Sequence, residues 1–240
     1  MVKELEDSEW FPSVLRNYQT EFIGFVVSRF NVYDVFVNYV KQAPLSATAM
    51  TDLCSGSGEP AISIYKKTNR FSSLSLSDKY PGALAKKLNK NIAAISRTDV
   101  LEMEFEQGKY YTMFNAFHHF RDEEKQTIVH KILLSGSPAF IVEVLEPTVL
   151  CFLKVLLTTT FGLVLLTPFV SPFSLKRLFF TYVIPVNIFI ITYDGIVSVL
   201  KSYSMSKYKR VFAHNGKKIK IFRLQNGLSP LIVIQLGGET

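Results

Sequence analysis

Four strand-length runs, 47–53, 72–77, 109–115 and 139–144, alternate with helix-length stretches, and this rhythm constrains the fold more than any other feature of the chain. The stretches between them, 59–67, 82–92 (around Leu84, Leu88 and Ile92) and 122–134, read as helices. The last opens on Asp122, Glu123 and Glu124, where the helix macrodipole favours carboxylates, and Ser135-Gly136-Ser137-Pro138 stops it. Strands separated by helices lie mostly parallel, with helices on both faces of the sheet. The chain ends differently. Runs 217–224 and 231–236 are joined by Gln225-Asn226-Gly227-Leu228-Ser229-Pro230, a link too short for a parallel crossover, so they form an antiparallel hairpin.

Two regions stand outside this rhythm. Over 11–41 the spacing of Phe22, Val26, Phe30, Tyr33, Val37 and Val40 predicts a helix, covered on more than one side because Phe25, Val32 and Phe36 lie off that stripe. Pro44 ends this N-terminal cap, residues 1–44. The second region is an apolar insert, residues 147–205. Its first run, Val149 to Val170, is broken only by Lys154, the threonines 158–160, Gly162 and Pro168; its second, Leu178 to Tyr193, contains Pro185 and Asn187. A membrane span needs roughly 20 apolar residues. The first run reaches that length and the second does not, so the insert is either a helical lid, buried or resting on a bilayer, or a pair of spans. A chain of 240 residues suffices for one domain, 1–240, carrying both additions.

Charge separates the chain further. Through Pro147 there are 16 basic and 18 acidic residues; from Thr148 onward there are 11 basic residues against Asp194 and Glu239. Basic charge beside apolar surface suits an anionic membrane face, basic charge alone suits nucleic acid, and a solvated hairpin needs neither. Two cysteines, Cys54 and Cys151, make no disulfide framework and no CxxC pair, which argues for a reducing compartment and against a structural zinc or other metal site. The opening residues 1–10 are acidic and lack the apolar core of a secretory signal. The expected location is cytoplasmic, peripheral or integral on the cytoplasmic face of a membrane.

The chemistry centres on Asp52-Leu53-Cys54-Ser55-Gly56-Ser57-Gly58, after an expected strand and before an expected helix. Glycines there let a ligand approach the backbone and expose N–H groups that suit a carboxylate or other anion, although a plain structural turn has the same composition. Asp78 ends the next strand 26 residues later, where nucleotide-binding folds place a carboxylate against ribose hydroxyls, and Asp99 follows another 21 residues on. Each acid taken singly could be a helix cap or a surface charge.

With these residues the chain resembles the class I S-adenosylmethionine-dependent methyltransferases, closest to the quinone- and small-molecule-methylating branch. The resemblance is carried by the Asp52–Gly58 loop, by Ser75-Leu76-Ser77-Asp78, by Thr98-Asp99-Val100, by Met113-Phe114-Asn115-Ala116-Phe117-His118-His119-Phe120, and by the terminal hairpin. It covers 45–146 and 208–236, and departs from the family's pattern at Cys54, which stands where a glycine is usual. It implies a Rossmann-like, seven-stranded, mostly parallel sheet and S-adenosyl-L-methionine as cofactor. Asp52, Cys54, Gly56 and Gly58 would line its methionine end, Asp78 would hold the ribose, and Asp99 with Val100 would flank the adenine. Asn115 would sit beside the methyl group.

Methyl transfer from a sulfonium is an in-line displacement that asks the protein for positioning and exclusion of water. A base is needed only if the acceptor must lose a proton; His118 and His119 stand where one would act, or they pack and cap the next helix. Trp10, Phe11 and Tyr18 of the cap, with the tyrosines of 193–204, are candidates for an aromatic acceptor cavity. The first functional reading is methylation of a hydrophobic small molecule or lipid-like acceptor at a membrane surface. The alternative is a membrane-associated binding or scaffold protein of the same fold without turnover. Nucleic-acid methylation is disfavoured, because Asn115 is followed by Ala116-Phe117-His118 rather than an AsnProPro(Tyr/Phe) signature.

Overall fold

The computed structural model describes residues 3–44, 48–81, 90–93, 95–227 and 229–237, the side chains of 215–217 excepted. The expected helix 82–92 therefore lies largely outside the described residues, as does the first residue of the expected strand 47–53. Ile92 is described and bridges Leu74.

The strands are β1 (Ala49–Leu53), β2 (Ser73–Asp78), β3 (Ser96–Arg97), β4 (Lys109–Phe114), β5 (Ala139–Glu143), β6 (Ile219–Leu224) and β7 (Leu231–Leu236). They form one seven-stranded sheet in the order β3-β2-β1-β4-β5-β7-β6. β1 to β5 are parallel to one another, and β7 pairs antiparallel with both β5 and β6. This is the α/β sheet with a C-terminal antiparallel hairpin that the alternation predicts. β3 has no counterpart in the sequence reading, because its two residues are both exposed and carry no apolar signal. The order reverses between β1 and β4, and their registers (Leu53 beside Ser77 on one side and Met113 on the other) bring their C-terminal ends to one edge. Ligands of open α/β sheets bind in the crevice at such a reversal.

The cap is two helices, not one. α1 (Ser13–Arg29) and α2 (Asp34–Gln42) are separated at Asn31, whose φ of 52° is left-handed. Asparagine tolerates that conformation, and no periodicity count registers it. α2 buries Phe36, Val37 and Val40 against one sheet face, together with α3 (Ala61–Thr68). α4 (Asp122–Ser135) covers the other face through Ile128, Val129 and Ile132.

Residues 149–211 are mostly helical. α5 (Val149–Leu157) runs through a π-turn (Thr158–Gly162) into α6 (Leu163–Leu166), followed by α7 (Leu175–Tyr182), α8 (Val186–Lys201) and α9 (Met205–Val211). Thr148, Ser174 and Ser204 cap α5, α7 and α9, each hydroxyl accepting from a backbone N–H three residues on. Gly195 lets α8 lie close to α5, since a Cβ there would come within 2.8 Å of Val155 Cγ1. A buried ion pair ties the insert to the cap: Arg177 Nη1 donates to Glu21 Oε2 at 2.6 Å.

Candidate active site

At the C-terminal edge of the sheet lies a cavity of about 1030 Å³. Its floor is built where β1, β2 and β4 end. Cys54 and Gly56 both have positive φ, 56° and 53°, so the backbone turns sharply after β1 and faces the cavity. The Gly56 N–H donates to Asp78 Oδ2 and the Tyr80 N–H to Asp78 Oδ1, both at 2.7 Å, so the second strand's acid holds the glycine bend in place. Asp99 lies 3.0 Å from Lys79 Nζ and accepts from the Leu101 N–H. Burial opposes its charge, but these two partners hold its carboxyl below the ordinary value. Val100 and Asn115 also line the cavity; Asn115 has a φ of 49° and its Oδ1 accepts from the Val144 N–H at 3.3 Å.

Two residues of the expected set stand behind the wall rather than on it. Asp52 is buried within β1 and accepts from Thr112 Oγ1 at 2.6 Å; burial pushes its carboxyl up to about 7. Gly58 has a φ of 93°, and a Cβ there would meet Ile62 Cδ1 at 2.7 Å. Its place is the close approach of α3 to the sheet. Cys54 lines the cavity, and burial and the nearby carboxylates push its thiol well up, so it faces the site as a neutral group.

The two histidines differ. His118 is buried with Nδ1 2.7 Å from Glu143 Oε2, while the other oxygen of Glu143 accepts from the Phe117 N–H. This fixes the ring and leaves Nε2 as the nitrogen without an assigned partner. His119 Nδ1 lies 3.0 Å from both Asp7 Oδ1 and Glu4 Oε2. Burial opposes protonation, but Glu4 and Asp7 outweigh it and raise the imidazole well above its ordinary value. His119 is thus a cation in an ion-pair network, whereas His118 is held by Glu143 through Nδ1 alone.

That network closes the cavity with the N-terminal residues. Lys201 Nζ of α8 reaches Glu4 Oε1 at 3.0 Å and Asp7 Oδ2 at 3.5 Å. Asp194 of α8 accepts from the Leu5 and Glu6 N–H groups at 2.7 and 3.1 Å. Arg16 of α1 donates to the Glu6 and Ser8 carbonyls. Burial pushes Glu6 up to about 8. Glu4, His118 and His119 also bring ligand atoms within 4.8 Å of one another, the spacing of a metal site. Lys201 and the His119 imidazolium already match the carboxylate charge there, so the set fits a latch better than a cation site.

Sequence reasoning missed this strap, because ion pairs between residues as distant as Asp7 and His119 leave no local pattern. It also missed Arg16, which lines the cavity with its guanidinium 4.2 Å from the centre of the Tyr80 ring. The expected aromatic contributors lie elsewhere. Trp10 is exposed, and Phe11 and Tyr18 are buried in packing away from the cavity; α1 presents Arg16, Gln19, Thr20 and Ile23 to it instead. Likewise Gly195, Ser198 and Lys201, not the tyrosines of 193–204, face it from α8.

No family model matches the sequence, and no curated protein matches it. Among solved structures the chain is similar to the plantazolicin methyltransferase in complex with S-adenosylhomocysteine, at 12% identity and a TM-score of 0.53, covering 95% of this chain and 96% of that one. It is similar to the mitomycin 7-O-methyltransferase at 13% identity and a TM-score of 0.50, covering 85% and 53%. Human N-acetylserotonin methyltransferase in complex with S-adenosylmethionine gives 13%, a TM-score of 0.50, and 89% and 55%. The chain thus spans about half the length of the last two and nearly all of the first. At these identities the likeness shows the fold alone, a seven-stranded Rossmann-like sheet shared with these methyltransferases.

Proposed function

We propose that this chain transfers a methyl group from S-adenosylmethionine to a hydrophobic small-molecule or lipid-like acceptor at a membrane surface. The observation that carries the reading is the 2.7 Å bond between the Gly56 N–H and Asp78 at the sheet's reversal point, on the wall of a cavity large enough for a nucleoside cofactor and an acceptor together. The donor set fits the group. Asp78 would take the ribose hydroxyls, Asp99 and Val100 would flank the adenine, and Cys54, Gly56 and Arg16 would enclose the methionine end. When bound, the cofactor supplies an electrophilic methyl group on a sulfonium. The protein's share is positioning and dryness, which the N-terminal strap supports by covering the cavity. For an acceptor that must lose a proton, His118 Nε2 accepts it, and Glu143 stabilises the resulting imidazolium from Nδ1.

The membrane half of the reading rests on the insert. Val149–Phe169 is 21 residues long; its most apolar window of 18 residues has a mean hydropathy of 2.3, and only 11% of that window is buried. One side of α5 lines the cavity, which favours a helix seated against the domain over one surrounded by lipid. A helix with protein on one side and lipid on the other lies along one leaflet. The basic C-terminal third suits anionic headgroups.

Calorimetry with S-adenosylhomocysteine tests the cofactor half. Heat of binding is expected for the wild type and most of it is lost for Asp78→Asn, which keeps one oxygen to accept from the Gly56 N–H and so leaves the protein folded. A folded wild type that gives no heat with this ligand or with S-adenosylmethionine sinks the proposal.

A further inference from the structure

We infer that the cavity takes its acceptor from within the bilayer, through the seam between α1 and α5, and that the acceptor is therefore a long-chain membrane amphiphile rather than a freely diffusing small molecule. The inference deepens the reading above and rests on it for the chemistry at the headgroup; the chain-binding path stands on its own geometry.

α5 and its continuation have two unlike sides. Leu153, Leu157, Phe161 and Leu165 point outward and are 48%, 56%, 71% and 69% exposed. Cys151, Lys154, Thr158 and Thr159 line the cavity. Thr160, the remaining hydroxyl of the run, bonds back to the Leu156 carbonyl. All the side-chain polarity of the stretch is thus turned inward or spent within the helix, and the outer side is wholly apolar. Water does not select such a division, whereas a leaflet does. One helix is then the only layer between the lipid and the cavity.

The seam lies where that layer ends. Leu150 of α5 and Ile23 of α1 both line the cavity while 52% and 39% exposed, which places them at its rim. Val27 and Val155 continue the apolar lining inward. α5 packs on α8 through Val155 and Gly195, and α1 also packs on α8, so the two helices are held by a common partner. Of the cavity's polar groups, Asn115, His118, His119 and Lys201 gather at the sheet's end, while Lys154, Thr158 and Thr159 line its α5 side. An apolar entrance leading to a polar, ionisable end matches an amphiphile whose head is the reacting part and whose chain trails back toward the leaflet.

The test uses the full chain with vesicles of phosphatidylcholine and phosphatidylglycerol that contain a phosphatidylcholine bearing a diazirine near its acyl terminus. After irradiation, adducts are mapped by peptide mass spectrometry. The expected result is labelling of the outer positions Leu153, Leu157 and Phe161 and also of the inner positions Val27 and Val155. A Val27→Trp, Leu150→Trp double variant with an unchanged circular dichroism spectrum should lose most of the Val155 adduct and keep the outer ones. Labelling of the outer side alone overturns the inference and leaves a membrane seat. Absence of any labelling overturns both, and dimerisation on the same side would then account for the apolar surface. Calorimetry with S-adenosylhomocysteine separates this from the cofactor question, since its failure would remove methyl transfer without altering the label map.

Discussion

β5 and α5 are neighbours in sequence and alike in apolar character, yet they meet opposite surroundings. Ala139–Glu143 is buried at every position, between α2 on one face and α4 on the other. Val149–Leu157 has no buried residue at all. Hydropathy measures how strongly a segment avoids water and says nothing about what it goes to. In β5 the destination is the rest of the chain. In α5 nothing else among the described residues covers the outer side, and the bilayer proposed above would supply the missing cover.

The sharpest contrast is in stability. Phe140, buried against Phe36 and Tyr110, leaves a large void when truncated, and Phe140→Ala should cost about 3–5 kcal/mol in urea denaturation. Leu157→Ala, on the open side of α5, should lie within about 0.5 kcal/mol of wild type in buffer. Equal losses would show that the outer side of α5 is packed in solution and break the contrast.

Buried polarity in the sheet gives the next test. Asp52 titrates near 7 in the folded protein because burial penalises its charge, against an ordinary value of 3.8. The native state then holds more protons than the unfolded chain between these values. This stability is fully present below about pH 4 and is lost as pH rises through about 7, so Asp52→Asn should remove that fall, worth up to about 4 kcal/mol at 1.36 kcal/mol per unit. The comparison of wild type and variant urea midpoints at the two ends of this window reads it directly; parallel curves would mean the carboxylate is better solvated than its place in β1 implies.

The membrane side of the contrast is tested by Leu157→Asp. Withdrawing one buried leucine from lipid costs roughly 1.5–3 kcal/mol, or about ten- to a hundredfold in vesicle co-sedimentation. Binding that is unchanged by this substitution and by Leu153→Asp would place the outer side of α5 away from the bilayer.

These differences also explain what could be read from the sequence. β5 was legible because a buried parallel strand is a nearly unbroken apolar run, β1 because a short run leads into a glycine turn, and the terminal hairpin because a short link permits only one pairing. β3 was not, since Ser96 and Arg97 contribute backbone pairing and no apolar pattern. Asn31 broke the cap helix without disturbing its spacing. In the site, Gly56, Asp78, Asp99 and Asn115 announce themselves as turn and acid residues at strand ends. Glu4, Asp7 and Arg16 do not, because what places them is a partner more than a hundred residues away or a ring stacked from another loop. Local chemistry leaves a local signature, and long-range charge pairing leaves none.

The smallest effect falls at the junction of the two regions. Thr148 follows β5 and caps α5, its hydroxyl accepting from the Cys151 N–H at 3.2 Å. Removing such a cap costs about 1 kcal/mol. If α5 is attached to the core by one side only, that loss should stay local, because local opening does not require the sheet to unfold. Hydrogen exchange of Thr148→Ala in buffer should then show amides of 151–157 exchanging about fivefold faster, the equivalent of about 1 kcal/mol, with Ile141 and Val142 unchanged. With vesicles present the acceleration should shrink, since lipid on the outer side holds the helix formed whatever its cap. Equal acceleration in β5 and α5 would mean that the two open together, and the division between a chain-covered strand and a lipid-covered helix would fail at the point where they join.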